Sequence, residues 1–169
     1  MRTGALDAGI ARLVHRFRSR GAVLVIVLML VFSLGGTTYG MAEETLGFYA
    51  LIVPIMVALG FDRLVGATVI MLGAGIGTLA STVNPFATGV ASSAAGIPMG
   101  NGIVLRVIMY VVLTAVTILF VLRYGRKVLK DPSKSLVKPV AGDEELATEG
   151  QEEPPKMTGG QKAVLWIFI

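Results

Sequence analysis

Apolar residues in this chain come in long blocks and not in alternation. Residues 21–42, 45–61, 64–105 and 107–122 contain no Asp, Glu, Lys or Arg. A bilayer-spanning helix needs about 20 predominantly apolar residues, so the block lengths predict an all-α integral membrane protein. Ahead of the first block, residues 1–21 read as an amphipathic interfacial arm. Leu6, Ile10, Leu13, Val14 and Phe17 recur at helical spacing, and Arg12, Arg16 and Arg20 form a second stripe at i, i+4 and i+8. His15 is an interfacial polar residue of that arm.

The first apolar run, AVLVIVLMLVF, stops after about a dozen residues and gives way at 35–45 to GGTTYGMAEET, a stretch too polar for a helix in lipid. A second run, residues 46–59, is also short and contains Pro54. Two short arms joined by a Gly, Thr and Glu-rich tip predict a re-entrant helical hairpin over residues 22–60. Residues 64–95 follow as a discontinuous transmembrane helix, because Asn84-Pro85 among hydroxyl side chains should break it and free backbone carbonyls. Residues 96–102, GIPMGNG, make an uncharged outer turn, and residues 103–123 form an ordinary spanning helix.

Residues 124–162 form a cytoplasmic linker, in which 131–162 hold seven acidic and four basic residues with little hydrophobic periodicity. Residues 163–169, AVLWIFI, begin another apolar run, so the chain is expected to end inside a truncated transmembrane helix. A signal-peptide reading of Arg16, Arg18 and Arg20 before residues 22–34 is the weaker one, because further charge-free segments follow.

Composition agrees with the pattern: 54% of residues are hydrophobic and only 15% are charged. The net charge of +4 does not indicate nucleic acid, because the basic residues flank the apolar blocks. Five Arg before residue 21 and four Lys or Arg at 123–130 place residues 1–21 and 124–162 in the cytoplasm of a bacterial inner membrane protein. An even number of crossings must lie between them. A hairpin plus two crossings satisfies this, as would four full crossings; the shortness of the first two arms favours the hairpin.

Chemistry-bearing residues gather at two places. The hairpin tip offers Gly35, Gly36, Thr37, Thr38, Gly40, Glu43, Glu44 and Thr45. Its glycines allow backbone amides to face a ligand, and carboxylates at membrane depth are costly enough to predict a role as proton carrier, cation ligand or substrate partner. The helix break offers Ser81, Thr82, Asn84, Pro85 and Thr88, a cluster that suits a substrate and a coupling ion together. Gly73, Gly75 and Gly77 lack dinucleotide-loop spacing and read as close helix packing. One His, no Cys and few acids outside the linker leave no catalytic triad and no metal site beyond Na⁺ at the same tips. No enzymatic activity and no cofactor are expected; the coupling ion would be H⁺ or Na⁺.

The segments MRTGALDAGI, FSLGGTTYGMAEET and STVNPFATGVASSAAGIP followed by GIVLRVIMY resemble the anaerobic C4-dicarboxylate carrier-like family, particularly its YfcC-type branch. The resemblance runs from Met1 to about residue 130. It implies the ion-transporter superfamily architecture: two inverted repeats, each with a re-entrant hairpin and a broken helix whose tips meet at the substrate site, in a homodimer when full length. It also implies that Met1 is an internal methionine and that this chain is one inverted-repeat half, a fragment that would not transport alone. The function implied is secondary active transport of a C4-dicarboxylate or an amino acid by alternating access, with the lipid bilayer and a small-molecule substrate as partners and no nucleic acid. The alternatives are a non-transporting membrane scaffold or assembly partner, or an inactive pseudogene fragment.

Overall fold

The computed structural model describes residues 14–17 and 20–149. Most of the predicted arm at 1–21 and the apolar start at 163–169 lie outside the described residues. Of the arm, Val14–Phe17 form a helical turn in which Val14 is buried in the core, while His15 and Arg16 are exposed. The described residues are helical, with no strand among them.

Helix α1 (Gly21–Tyr39) is 19 residues long, about 28 Å at the usual rise. It does not stop where the apolar run stops. The Ser33 hydroxyl donates to the carbonyl of Leu30 and the Thr38 hydroxyl to that of Leu34, so side chains that look disruptive in the sequence are satisfied by the helix itself. The turn comes at Gly40 (φ 82°), whose N–H, with that of Met41, reaches back to the carbonyl of Gly35. The tip is therefore shorter than the expected 35–45: residues 35–39 belong to α1, and a 3₁₀ turn at Glu43–Thr45 leads into α2 (Leu46–Ala58). The chain reverses here, so that the rings of Phe32 and Phe48 meet edge to face at 5.4 Å.

Helix α3 (Arg63–Leu79) begins at Asp62, whose carboxylate accepts the N–H of Val65 at 2.9 Å. It is the central element, with α1 and α2 both packed on it. Its buried side chains Val65, Val69 and Ile70 meet Met29 and Phe32 of α1 and Met56 of α2 in one apolar core. Beyond Leu79 the chain leaves helical geometry, re-forms as a π-helical turn at Pro85–Gly89, and continues as the short α4 (Val90–Ala94). Helix α5 (Ile103–Lys130) has 28 residues and reaches about 42 Å, well past a hydrocarbon core of about 30 Å. It packs on α3 and α1 and turns Val104, Ile108, Val112, Val116 and Phe120 outward. Both α1 and α5 are long and apolar enough to cross a membrane, so the shortness that favours a hairpin over full crossings does not hold for the first arm.

Residues 131–149 lie against the foot of α3 and α2. Asp62 is the hub there: its second oxygen accepts from the Tyr124 hydroxyl and, at 2.6 Å, from the Ser135 hydroxyl. Arg63 pairs with Asp143 at 2.6 Å, which brings α6 (Asp143–Glu149) onto α2. Asp131 caps the Pro132–Lys134 turn, and hydrogen bonds from Ser133 and Lys134 hold its carboxyl below the usual range.

Candidate functional site

Two of the three glycines in GAGIGT allow α1 and α3 to approach closely. A Cβ on Gly77 would stand 2.1 Å from the carbonyl oxygen of Ser33, and one on Gly73 would stand 2.9 Å from the Cβ of Phe32. On the facing helix, a Cβ on Gly36 would stand 2.2 Å from the carbonyl oxygen of Ala74. Gly75, two residues from either interface glycine, meets nothing within 4 Å. The spacing of Gly73 and Gly77 is that of a small-xxx-small contact, and it brings the end of α1 directly against the helix break.

Hydrogen bonds join the two there. Thr37, 2% exposed, donates its hydroxyl to the carbonyl of Ala80 at 2.9 Å and lies 3.1 Å from the Thr82 hydroxyl. Its hydroxyl also accepts the N–H of Thr82 at 3.0 Å, and its carbonyl receives the N–H of Val83 and the hydroxyl of Thr82. Asn84, 1% exposed, works in both directions. Its amide nitrogen donates to the carbonyl of Gly36 at 3.1 Å, and its oxygen accepts the N–H groups of Phe86 and Ala87, capping the π turn that Pro85 opens. Gly40 closes over this amide, since a Cβ there would be 2.8 Å from Asn84 Nδ2. The carbonyls of Gly36 and Ala80 each accept one of these bonds and keep a second lone pair for a further donor or cation, whereas the Thr37 carbonyl is filled by the donors from Thr82 and Val83.

Ser81 and Thr88 face each other across the break, with their hydroxyls 2.5 Å apart, and Thr88 also reaches the carbonyl of Ser81 at 3.2 Å. They line a cavity of about 290 Å³ between the end of α3, the π turn, α4 and the outer part of α5. The predicted tip residues divide. Gly36, Thr37 and Gly40 meet the break; Gly35 packs against Met41; Thr45 is buried and donates its hydroxyl to the carbonyl of Ala42; and Thr38, Glu43 and Glu44 are exposed. Of the two carboxylates, Glu44 accepts the N–H of Ala42 at 3.2 Å.

Against known proteins, the family model described as "C4-dicarboxylate anaerobic carrier" matches residues 1–169. The chain belongs to this C4-dicarboxylate anaerobic carrier family. Within the curated proteins it is 37% identical over 137 residues to the Escherichia coli (strain K12) protein named "Putative basic amino acid antiporter YfcC", covering 81% of this chain and 27% of that protein. It is 39% identical over 134 residues to an uncharacterised Haemophilus influenzae protein, covering 79% of this chain and 26% of that one. The chain spans about a quarter of the length of these relatives. No solved structure matches it. With its apolar α1 and α5, this member of the carrier family is a membrane protein.

Sequence reasoning passed over three residues around the helix break and its cavity. Arg106 separates two charge-free blocks inside the spanning helix expected at 103–123, where the sequence assigns it no role, yet it lines the 290 Å³ cavity. Ser92 sits in the small-residue stretch after the helix break, where the sequence assigns it no role of its own, and it lines the same cavity. Tyr110 lies seven residues before Thr117 on α5, and its hydroxyl is 2.9 Å from that of Ser33, joining α5 to α1. An arginine inside an otherwise apolar helix was the one readable signal among the three.

Proposed function

We propose that the protein of which this chain is part is a secondary active transporter for a small carboxylate-bearing metabolite. It would work by alternating access, driven by a H⁺ or Na⁺ gradient or by exchange. The observation that carries the reading is the junction of Thr37 and Gly36 with Thr82 and Asn84, which sets a helix end and a broken helix against each other inside an apolar chain. Non-helical backbone at membrane depth is costly unless it lines a protein-walled site. On this reading α1, the Gly40–Thr45 turn and α2 form a re-entrant hairpin, α3 to α4 is one discontinuous crossing, and α5 is a full crossing. Residues 1–21 and 124–162 face the cytoplasm at the inner membrane, and the complete carrier is a homodimer. Family membership supports transport, and the family's description supports a dicarboxylate.

A second substrate reading has its own support. Glu43 and Glu44 are exposed at the tip with no cationic partner among the described residues, and the Escherichia coli relative's name specifies a basic amino acid. The product of the complete reading frame, reconstituted in liposomes, is tested for uptake of labelled succinate and labelled arginine under imposed H⁺ or Na⁺ gradients and after preloading. Uptake of one, reduced by Asn84→Ala, supports the proposal. Uptake of neither by correctly folded protein overturns it in favour of a scaffold. Arginine uptake lost in Glu43→Gln with Glu44→Gln, with no succinate uptake, assigns the basic amino acid.

A further inference from the structure

Helix α5 outlasts its apolar stretch. Residues 103–122 cover about 30 Å, the depth of a hydrocarbon core, and residues 123–130 add about 12 Å. This extension starts level with the beginning of α1, because a Cβ on Gly21 and one on Gly125 would each stand 2.9 Å from the ring of Phe61. Residues 126–130 therefore project past the point where the apolar run of α1 begins. Val121, Gly125 and Val128 keep the inner face of the extension packed, while Arg123, Arg126, Lys127 and Lys130 on the outer face are all exposed. At i, i+3, i+4 and i+7 these four cations form one stripe about 10 Å long.

No carboxylate among the described residues lies within ion-pair distance of the stripe. The acids at this end are committed elsewhere: Asp131 to Lys134 at 3.1 Å, Asp143 to Arg63, and Asp62 to Tyr124 and Ser135. One to two turns back along the same face, Val116, Leu119 and Phe120 are each more than half exposed. An apolar surface thus runs without interruption into an unneutralised basic one.

We infer that this face of α5 holds an anionic phospholipid of the adjoining leaflet. Its phosphate lies among Arg123, Arg126, Lys127 and Lys130, and its acyl chains lie along Val116, Leu119 and Phe120. The two halves of the surface match the two ends of such a lipid, whereas a soluble polyanion would leave the apolar half uncovered. The long Arg and Lys stems can follow the chains while their charged heads reach the phosphate. The inference rests on α5 crossing the bilayer and not on transport, so a protein that carried nothing would hold the lipid equally well.

The test places the product of the complete reading frame in phosphatidylcholine nanodiscs doped with phosphatidylglycerol or phosphatidylcholine that bears a photoreactive group in its acyl chain. Labelling of residues 116–120 is read by peptide mass spectrometry. Phosphatidylglycerol should label them roughly tenfold or more above phosphatidylcholine at equal doping. The excess should vanish when Arg123→Gln, Arg126→Gln, Lys127→Gln and Lys130→Gln are combined. In the wild type it should fade at about 1 M salt, where the Debye length is about 3 Å, a reading that needs no variant to fold. Arg126→Gln alone should lower it a few-fold, while Lys138→Gln, off the stripe, should leave it unchanged. Equal labelling by the two lipids overturns the site, as does an excess that survives the fourfold variant or high salt, or one lowered equally by Arg126→Gln and Lys138→Gln. No labelling by either lipid removes the crossing of α5 along with the site. Labelling as expected in a protein without liposome uptake removes the transport reading and leaves the lipid site standing.

Discussion

Gly77→Ala tests the closest contact in the molecule. The added methyl would sit 2.1 Å from the Ser33 carbonyl oxygen and 2.8 Å from its carbon, both backbone atoms that cannot turn aside. Bringing that contact to ordinary van der Waals range requires α1 and α3 to part by roughly 1 Å, at the level where Gly36 meets Ala74 from the other side. Overpacking of this kind costs about 1–3 kcal/mol. Gly75→Ala is the matched control, since its methyl enters open space and the helix gains up to about 1 kcal/mol in propensity. The propensity gain is common to both variants, so they should differ by about 1–3 kcal/mol, Gly77→Ala being the weaker. Unfolding of the purified protein in mixed micelles, titrated with a denaturing detergent, measures that difference. Equal stabilities would refute the close approach of α1 and α3, and a less stable Gly75→Ala would refute the assignment of faces on α3.

Thr37→Val keeps the shape and removes the hydroxyl, leaving the Ala80 carbonyl without its donor; a loss of about 1–3 kcal/mol is expected in the same titration. Asn84→Asp retains the oxygen that caps the π turn but sets a second oxygen against the Gly36 carbonyl. Buried and unpaired, that carboxylate should destabilise at least as much as Asn84→Ala, which loses the cap and the cross-link together, and a smaller loss would show that the cap outweighs the buried charge. Asp62→Ala removes the α3 cap and frees Tyr124 and Ser135, so proteolysis within residues 131–149 should quicken alongside a stability loss of about 1–2 kcal/mol. Asp143→Asn breaks an ion pair whose arginine is 40% exposed, and its effect should stay under about 1 kcal/mol and fade in high salt.

The helix break is legible because Pro85 cannot donate a backbone hydrogen bond and Asn84 is a natural cap; local chemistry alone decides it. The end of α1 is not legible in the same way. Polarity alone ends the helix at Ser33, whereas Ser33 and Thr38 bond to carbonyls of their own helix and the glycines gain close packing with α3, a tertiary effect. Local pattern likewise cannot tell Gly77 from Gly75, because only the placement of α1 gives them different neighbours. The polar cluster of 131–149 reads as linker by composition, yet Asp62 and Arg63 lie some 70 to 80 positions away in sequence from the Ser135 and Asp143 they hold. Arg106 escaped for a related reason: the carbonyls of Met99 and Asn101 that it holds are close in sequence, but the cavity it lines is assembled only when α5 folds back along α3.

The fastening of α3 at both ends has a mechanical consequence. Asp62 ties its foot to Tyr124 of α5, and Thr82 and Asn84 beyond its head are tied to the last turn of α1, while Tyr110 bolts α5 to α1 at Ser33, near the level of Gly77. Three helices braced in this triangular fashion have no easy internal shear. A displacement imposed at the Gly40 turn would be carried to the Arg63–Asp143 clasp with little bending between, so the module rides as one stiff body whose joints lie at its margins.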